Sequence, residues 1–392
     1  MTAPARNTNV RTLFPDEQIT EPKVMAPKLY NTGVLPSQDI RAMIGDEINA
    51  IEGIDDSQIQ PASLDLRLGD VAYRVRASFL PGAKSTVKDK VSQFEMHRID
   101  LTQGAVLEKG CVYIVPLQES LCLRKRTSAI ANPKSSTGRL DVFARLITDF
   151  GTEFDRVRER YQGPLYAEIS PRSFSILART GTRLLQLRVK RGSPPASDRL
   201  LRNLDNRVGL VDSAPGGANI ERGSLLLTVD TLGEDTGGLI GYRAKKHAGL
   251  IDLDQIGFYD PVDFWDPIHA RKDGGIILDP DDFYILASRE AITVPADFAA
   301  EMLAYDTSVG EFRIHYAGFF DPGFGDAELD AGGTRAVLEV RSHEVPFIID
   351  VGQVVGRLIY ERMTARPERL YGSGIGSSYQ RQGLKLSKHF QS

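Results

Sequence analysis

The sequence repeats at a fixed interval, and this repeat constrains the fold more than any other feature. Like residues recur 171 positions apart. The matched pairs are Leu107 and Leu278, Tyr113 and Tyr284, Glu119 and Glu290, Glu168 and Glu339, and Gly181 and Gly352. A constant offset over so long a stretch predicts two tandem copies of one domain, produced by duplication.

The predicted domain boundaries follow from this repeat. The chain has 392 residues, which is enough for two or three domains. Between the copies, RGSPPASD (191–198) is rich in the chain-breaking residues Pro and Gly and is typical of a linker. We therefore predict a flexible N-terminal segment, a first domain, a second domain and a C-terminal lid. These cover residues 1–29, 30–192, 200–366 and 367–392, respectively.

Short β-branched or alternating runs dominate both copies. Examples are SLDLRLG, VYIVPL, FYILAS, AVLEV and RLIYE, and Gly and Pro separate such runs at the short spacing typical of all-β proteins. Helices are few: PSQDIRAMIGDEI predicts one with Ser37 as its N-cap, and SDRLLRNL predicts another. The predicted fold is mainly β, with two tandem distorted β-barrels, minor helices and a flexible C-terminal lid.

Composition excludes several classes of protein. The 48 basic and 52 acidic residues give a formal net charge of −4, whereas a general nucleic-acid binder needs a basic excess. Two cysteines, Cys111 and Cys122, cannot build a disulfide framework. No apolar run is long enough for a membrane span, and the N-terminus lacks a secretory signal. We expect a cytoplasmic protein that binds neither nucleic acid nor a membrane.

The segment KSSTGR is the first candidate for chemistry. It contains Lys134, Ser135, Ser136, Thr137, Gly138 and Arg139. Hydroxyls, backbone amides and two cations suit the oxygens of a polyphosphate, although such a run is also an ordinary polar turn. Its counterpart in the second copy, DTSVG (306–310), has lost both cations. Only the first copy is therefore expected to hold phosphates.

Each copy also has a Phe–Asp turn followed by a glutamate in an apolar strand. The residues concerned are Asp155, Tyr161 and Glu168 in the first copy, and Phe320, Asp321 and Glu339 in the second. A carboxylate among apolar neighbours is costly unless it points outward or has a partner. Two interpretations stay open: an outward-facing side chain, or a general base with a raised pKa.

The C-terminal tail offers further candidate residues, and the histidines and cysteines bear on zinc binding. Tyr371, Tyr379 and Gln382 lie among glycines, which suits either a disordered end or a lid that closes over a ligand. None of the six histidines is followed two residues later by Glu, and the two cysteines are too far apart for C-x-x-C. Zinc of the kind used by base deaminases is therefore not expected.

Together these motifs resemble the dCTP deaminase branch of the dUTPase-like superfamily. PASLDLRLG (61–69) is similar to the family's P-S-S-x-D-x-R-L-G, and KSSTGR to its R-S-S-x-x-R, with Lys134 in place of the first Arg. FDPGFG, VLEV and DVGQVVGRL of the second copy resemble the family's I-D-P-G-W, V-L-E-F and R-P-G-M-L-I-G-x-L. In the tail, Ser378 stands where the family has Lys. The resemblance covers most of residues 30–390, as the long, duplicated bacterial form.

The resemblance implies a dUTPase-like barrel in each copy and zinc-free deamination of dCTP to dUTP and ammonia. A glutamate, Glu168 or Glu339, moves protons while Ser135 and Arg139 orient the attacking water. Mg²⁺ enters on the triphosphate. The residues implied to bind substrate are Lys134, Ser136, Thr137, Gly138, Asp155, Tyr161, Phe320, Asp321, Tyr371, Tyr379 and Gln382. A trimer or hexamer and feedback inhibition by dTTP are also implied.

Two questions remain open at this stage. The first is whether the site combines the loop of copy one with the hairpin and Glu339 of copy two, which we favour, or uses copy one alone with Glu168. The second is the reaction. A dUTPase or a bifunctional deaminase–pyrophosphatase would bind the same nucleotide, and a non-catalytic pyrimidine nucleotide-binding protein would tolerate the departures at Lys134 and Ser378.

Overall fold

The computed structural model describes most of the chain after residue 29. The described residues are 30–194, 196–212, 217–272, 274–303, 312–315 (backbone only), 318–326, 332–342, 345–372 and 383–391. We call 30–194 the N-terminal half and 196–391 the C-terminal half. The predicted flexible segment 1–29 and the tail residues Tyr379 and Gln382 lie outside the described part of the chain.

The N-terminal half is built mostly from strands. Its elements are β1 Gly33–Val34, α1 Ser37–Met43, β2 Ile48–Ala50, a 3-10 turn Asp56–Gln58, β3 Leu64–Arg67, β4 Val71–Val75, α2 Val87–Phe94, β5 Glu95–Asp100, β6 Ala105–Leu107, β7 Val112–Cys122, β8 Thr127–Pro133, α3 Ser135–Gly138, β9 Val142–Thr148, β10 Arg156–Val157, β11 Gln162–Pro171, β12 Ile176–Ala178 and β13 Arg183–Arg191.

The C-terminal half follows a similar order. Its elements are α4 Asp198–Val208, β14 Ile220–Glu221, β15 Ser224–Thr228, a 3-10 turn Glu234–Thr236, β16 Leu239–Ala244, β17 Ile251–Asp252, α5 Pro261–Phe264, β18 Trp265–His269, β19 Ile276–Leu278, β20 Phe283–Ile292, β21 Phe298–Leu303, β22 Phe312–His315, β23 Phe319–Phe320, β24 Thr334–Ser342, β25 Phe347–Ile349 and β26 Val354–Arg362.

Each half contains two larger sheets. Their strand orders are β1-β13-β8-β10, with β3 also on β13, and β5-β4-β7-β11-β9, with β2 also on β7, in the N-terminal half. In the C-terminal half they are β14-β15-β26-β21-β23 and β18-β16-β20-β24-β22. A smaller sheet, β17-β12-β6, joins the halves because β17 of the C-terminal half pairs in parallel with β12.

The strand pair β7–β11 of the N-terminal half has the same register as β20–β24 of the C-terminal half. Glu168 on β11 lies opposite Ile114 on β7, and Glu339 on β24 lies opposite Ile285 on β20. Glu339 lies 171 positions after Glu168, and Ile285 lies 171 positions after Ile114. The two glutamates therefore occupy equivalent places in their sheets.

The predicted mainly β class is confirmed, with few helices. Its assignment to a dUTPase-like barrel stays a prediction. The run SDRLLRNL forms the predicted helix, α4, whose N-cap Ser197 accepts a hydrogen bond from Leu200 N. The N-cap predicted for α1 is wrong. Ser37 is the first helical residue and Pro36 is the cap, because the Pro36 carbonyl accepts the first helical hydrogen bond, from Ile40 N at 3.0 Å.

The two halves share a buried interface that contains charge. Arg188 on β13 is completely buried, with its guanidinium 4.0 Å from the centre of the Phe319 ring. Its Nη1 donates to the Ala300 carbonyl at 2.9 Å, and Nη2 lies 3.0 Å from Asp321 Oδ1. An arginine is rarely buried unless it is paired, so Arg188 ties the predicted Phe–Asp hairpin of the C-terminal half to the N-terminal half. No helix in the described residues has the length and apolar character of a membrane span.

Candidate active site

The KSSTGR segment forms one helical turn, α3, directly after β8. Gly138 N donates to the Lys134 carbonyl at 3.0 Å. The Thr137 hydroxyl donates to the Leu184 carbonyl at 3.0 Å, and Lys134 N donates to the same carbonyl at 2.9 Å. The segment is therefore held against the start of β13, and we call residues 134–139 the phosphate loop, after the role predicted for it from the sequence.

Lys134 pairs with Asp65, a buried residue of β3. Asp65 belongs to PASLDLRLG, so this ion pair joins two motifs that the sequence analysis treated separately. The sequence analysis did not single out Asp65, although its place in that motif was a usable signal. Asp65 therefore partly neutralises the positive charge that Lys134 gives to the phosphate loop.

Arg139, at the end of the phosphate loop, meets Glu339 of the C-terminal half. Arg139 Nε lies 4.0 Å from Glu339 Oε1, and the two side chains are 4% and 8% exposed. Burial raises the pKa of the Glu339 carboxyl to about 8, and the Arg139 guanidinium opposes that rise. A carboxyl that titrates near neutrality can both accept and return a proton. The structure thus brings together the predicted loop and Glu339.

The Phe–Asp hairpin of the C-terminal half lies beside the phosphate loop. Burial raises the pKa of Asp321, and Arg188 opposes the rise. The Phe320 ring packs edge-on against Phe324, with centroids 5.0 Å apart, and Phe324 lies 5.5 Å from the Tyr371 ring. Tyr371 N also donates to the Pro322 carbonyl at 2.8 Å. The predicted residues Phe320, Asp321 and Tyr371 therefore form one unit.

Glu168 has a different environment from Glu339. Its Oε2 accepts a hydrogen bond from Ser78 Oγ at 2.6 Å. Burial raises the pKa of Glu168, while Ser78 and Arg145 oppose the rise. The segment that supplies Ser78 leads into α2, whose Val87 and Val91 pack in one apolar cluster with residues of β7 and β9. In the N-terminal half, the chain itself covers the surface around the glutamate.

The two other predicted residues of the N-terminal half are engaged in its local structure. Asp155 Oδ1 accepts a hydrogen bond from Leu146 N at 2.7 Å, and burial raises the pKa of this carboxyl to about 7. The Tyr161 hydroxyl donates to the Pro164 carbonyl at 2.5 Å and accepts from Asp149 N at 3.2 Å. These bonds hold the hairpin of the N-terminal half, and none of them reaches the phosphate loop.

A cavity of about 310 Å³ opens beside the phosphate loop. Lys134, Ser136 and Thr137 line it from the loop, and Arg183 lines it from β13. Lys388, near the end of the chain, is a further lining residue. Three of these side chains are cationic, but Lys134 is paired with Asp65 and the Thr137 hydroxyl is bonded to the Leu184 carbonyl. The carboxylates of Asp65 and Asp254 also line the cavity.

The last described segment, 383–391, is packed against residues of both halves, which corrects the prediction that the tail is flexible to its end. Ser387 Oγ donates to the Ser136 carbonyl at 2.9 Å, and Arg139 Nη1 donates to the Lys385 carbonyl at 2.9 Å. Burial lowers the pKa of His389 to about 4. We call 383–391 the C-terminal anchor. The sequence analysis missed it because Gly and Ser upstream predicted a loose tail.

Aromatic contacts fasten this anchor. The Phe390 ring lies 5.4 Å from Phe264 and 5.9 Å from Trp265, both approached edge-on. Tyr259, at 6.3 Å, completes this set of contacts. Edge-on aromatic pairs add to the gain from apolar burial. The packing explains how a short segment stays in place over the loop.

The fold and the site define a mainly β enzyme of nucleotide metabolism, with a loop suited to phosphates and a carboxyl that titrates near neutrality. Two family models match the chain in tandem: the N-terminal domain of 2′-deoxycytidine 5′-triphosphate deaminase over residues 31–193, and its C-terminal domain over 197–390. The chain therefore belongs to the dCTP deaminase family, in the long form that the sequence analysis predicted. That it is an enzyme of this family is confirmed.

Individual relatives agree. A crystal structure of 2′-deoxycytidine 5′-triphosphate deaminase from Agrobacterium tumefaciens is 53% identical, with a TM-score of 0.81, and the match covers 85% of this chain and 100% of that one. A Beutenbergia cavernae protein named "dCTP deaminase, dUMP-forming" is 29% identical over 152 residues, 36% of this chain and 74% of the relative. A Halobacterium salinarum protein of the same name is 30% identical over 128 residues, 31% and 61%, respectively.

Proposed function

We propose that the chain hydrolyses dCTP to dUTP and ammonia at a composite site. The phosphate loop of the N-terminal half supplies Ser135 and Arg139, and the C-terminal half supplies Glu339. The observation that carries this proposal is the contact between Arg139 and Glu339, 4.0 Å from Nε to Oε1, inside a chain of this family. Glu168 is a less suitable base because Ser78 and the chain leading into α2 cover it.

The proposed reaction needs two protons to be relayed through Glu339. Glu339 accepts a proton from water as the water oxygen attacks C4 of the cytosine, and passes that proton to N3 of the ring. It then carries the second proton from the new hydroxyl to the amino group, and the C4–N bond breaks to release ammonia. A carboxyl with a pKa of about 8 is suited to both directions of transfer.

Ser135 and Arg139 act on the water and on the charge that develops during attack. A guanidinium that is already fixed in place stabilises such charge without having to reorganise. Arg139 meets this condition because its side chain is buried and its Nη1 is held by the Lys385 carbonyl. The proposed reaction requires no zinc, in line with the absence of the zinc-deaminase motifs from the sequence.

The triphosphate is proposed to lie along the phosphate loop, with the side chains of Lys134 and Ser136 as its contacts, and to enter with its own Mg²⁺. Thr137 and Gly138 are proposed to shape the turn, since the Thr137 hydroxyl and the Gly138 amide are bonded to the Leu184 and Lys134 carbonyls. The cavity beside the loop supports this placement because three cations, those of Lys134, Arg183 and Lys388, line it against two carboxylates, those of Asp65 and Asp254. Phe320 and Asp321 are proposed to contact the deoxyribose, since Arg188 holds that hairpin against the N-terminal half. Tyr371 belongs to the same unit.

A second candidate reaction continues from dUTP to dUMP and pyrophosphate. The names of the curated relatives, "dCTP deaminase, dUMP-forming", favour it. Both reactions would use the same bound pyrimidine nucleotide, so the product alone distinguishes them.

The direct test is to incubate the purified full-length chain with dCTP and Mg²⁺ and to separate the nucleotides by chromatography. Equal amounts of dUTP and ammonia establish the deaminase. A peak of dUMP with pyrophosphate establishes the second candidate. Tight binding of dCTP with no product contradicts both and favours the non-catalytic nucleotide-binding protein.

Assembly and regulation are proposed from the family resemblance alone. We propose a trimer or hexamer, a cytoplasmic location and inhibition by dTTP. Sedimentation of the purified chain checks the first, and dCTP assays at increasing dTTP concentration check the third. An unchanged rate at saturating dTTP contradicts feedback.

A further inference from the structure

Another buried ion pair crosses between the halves close to Arg139 and Glu339. Arg341 Nη2 bonds to Asp141 Oδ2, which also accepts a hydrogen bond from Ser173 Oγ at 2.6 Å. Arg341 Nη1 donates to the Asp281 carbonyl. Asp141 is 1% exposed and Arg341 is 6% exposed. The pair is therefore buried, and each charge is held by additional hydrogen bonds.

The two segments carry their charges in opposite order: the cation comes first in 139–141, and the anion comes first in 339–341. Asp141 comes two residues after Arg139, and Arg341 comes two residues after Glu339 on β24. Side chains two apart on a strand point to the same face of the sheet. Glu339 and Arg341 thus face the N-terminal half together. Sliding β24 by two residues would bring like charges together, so the two contacts hold one register between the halves.

The backbone at Asp141 is also unusual. Its φ is +54°, in the left-handed region that a non-glycine residue seldom occupies. Asp141 N donates to the Gly138 carbonyl at 2.9 Å, and the Asp141 carbonyl accepts from Arg172 N at 2.9 Å. Strained conformations persist where the surroundings hold them, often beside functional groups. These bonds fix Asp141 to the phosphate loop, so a force on its carboxylate acts on the loop.

We propose that Asp141 and Arg341 are positioning residues, which set the distance between Arg139 and Glu339 across the interface. This rests on the proposed function of those two residues. Neither Asp141 nor Arg341 touches the reacting atoms; they act by holding the phosphate loop against β24. A displacement of about 1 Å can lower a rate by about 100-fold.

The charged groups around Glu339 determine the direction of the effect. Arg139 faces it from the phosphate loop, and Arg341 is on its own strand. The strand neighbours in register with Glu339 are Ile285 on β20 and His315 on β22. Because Arg139 favours the carboxylate form, moving Arg139 away raises the pKa of Glu339.

The test neutralises both partners together, as Asp141→Asn with Arg341→Gln, because one buried charge left unpaired would destabilise the fold. The matched control is Lys190→Gln with Glu361→Gln, which removes another ion pair between the halves, 2.6 Å long. For the first double variant we expect kcat for dCTP to fall about 10-fold or more, KM to change by less than about twofold, and the pKa seen in kcat/KM to rise. The control keeps the wild-type kcat and pKa.

Two results would overturn the proposal: a first double variant that keeps the wild-type kcat and pKa, or a control that loses both to the same extent. A second readout does not need turnover. The difference in unfolding free energy between each protein and its Glu339→Gln derivative, followed against pH, reports the pKa of Glu339. The pKa of Glu339 should rise only in the variant in which Asp141 and Arg341 are neutralised. If the wild-type chain fails to deaminate dCTP, the proposed function fails while this measurement still tests the positioning.

Discussion

Arg139 and Glu339 come from different halves of the chain and lie 4.0 Å apart, from Nε to Oε1. Each half also contains a strand glutamate in the same register, so a site of either half alone was conceivable. The contact shows how the halves differ: the phosphate loop covers Glu339, whereas Ser78 and its neighbouring chain cover Glu168.

Replacing Glu339 with Gln should remove most of the activity, while replacing Glu168 with Gln should not. Gln keeps the shape of Glu but cannot relay a proton, and loss of a general base lowers rates by about 10²–10⁴-fold. The measurement is ammonia release from dCTP by each variant, with circular dichroism as the control for folding. Full activity in Glu339→Gln would sink the composite site.

The rate should depend on pH through Glu339. The base must be ionised to accept a proton, and below its pKa of about 8 it is increasingly protonated. Hence kcat/KM for dCTP should rise with pH up to about 8 and then level off. Asp155→Asn is the control, because that buried carboxyl has a pKa of about 7 and lies outside the proposed site. If the pH profile shifts in Asp155→Asn, the titrating group is Asp155 of the N-terminal half, and the assignment to Glu339 is wrong.

Stability should also depend on pH through Glu339. Its pKa is about 8 in the folded chain and near the ordinary value of 4.5 when unfolded. The folded state then binds the proton more tightly, so this contribution to stability is complete below pH 4.5 and is lost as pH rises towards 8. Glu339→Gln should be more stable than wild type at pH 8, by about 1–3 kcal/mol, and similar at pH 4.5. Urea unfolding at both pH values measures this; a constant difference contradicts it.

Removing Arg188 should destabilise the chain. Arg188→Met leaves Asp321 buried without its cation, a change that costs about 3–5 kcal/mol. Adding Asp321→Asn should restore part of the loss, because the unpaired charge is then gone. Chemical denaturation of the single and double variants gives both values. Equal stability of the Arg188→Met variant and wild type would show that the pair does not hold the halves together.

Loosening the C-terminal anchor should weaken substrate binding. Phe390→Ala removes the ring that packs on Phe264 and Trp265, and truncating a buried Phe costs about 3–5 kcal/mol. We expect a higher KM for dCTP and faster proteolysis near the C-terminus. Gln391→Ala is the control, since Gln391 is exposed and contributes one side-chain bond, to the Phe258 carbonyl. An unchanged KM in Phe390→Ala would separate the anchor from the site.

The mainly β class and the five strand runs SLDLRLG, VYIVPL, FYILAS, AVLEV and RLIYE, which form β3, β7, β20, β24 and β26, were predictable from the sequence because strand alternation and turn residues act locally. The same local rules mispredicted the N-cap of α1, where the helix starts one residue earlier and the Pro36 carbonyl accepts the first helical bond. They also missed the packing of the C-terminal anchor, which depends on aromatic partners more than a hundred residues earlier. Composition upstream of the anchor says nothing about those partners.

The sequence alone determined that the chain has two copies of one pattern, with one phosphate loop and two candidate glutamates. It could not separate Glu168 from Glu339, since both lie in similar apolar strands in the same register. Only the tertiary structure decided which of the two meets Arg139. The physical reason is that the residues of a strand determine which face of the sheet a side chain lies on, whereas long-range packing determines which groups cover that face. Those covering groups then set the protonation state of the carboxyl and its access to water.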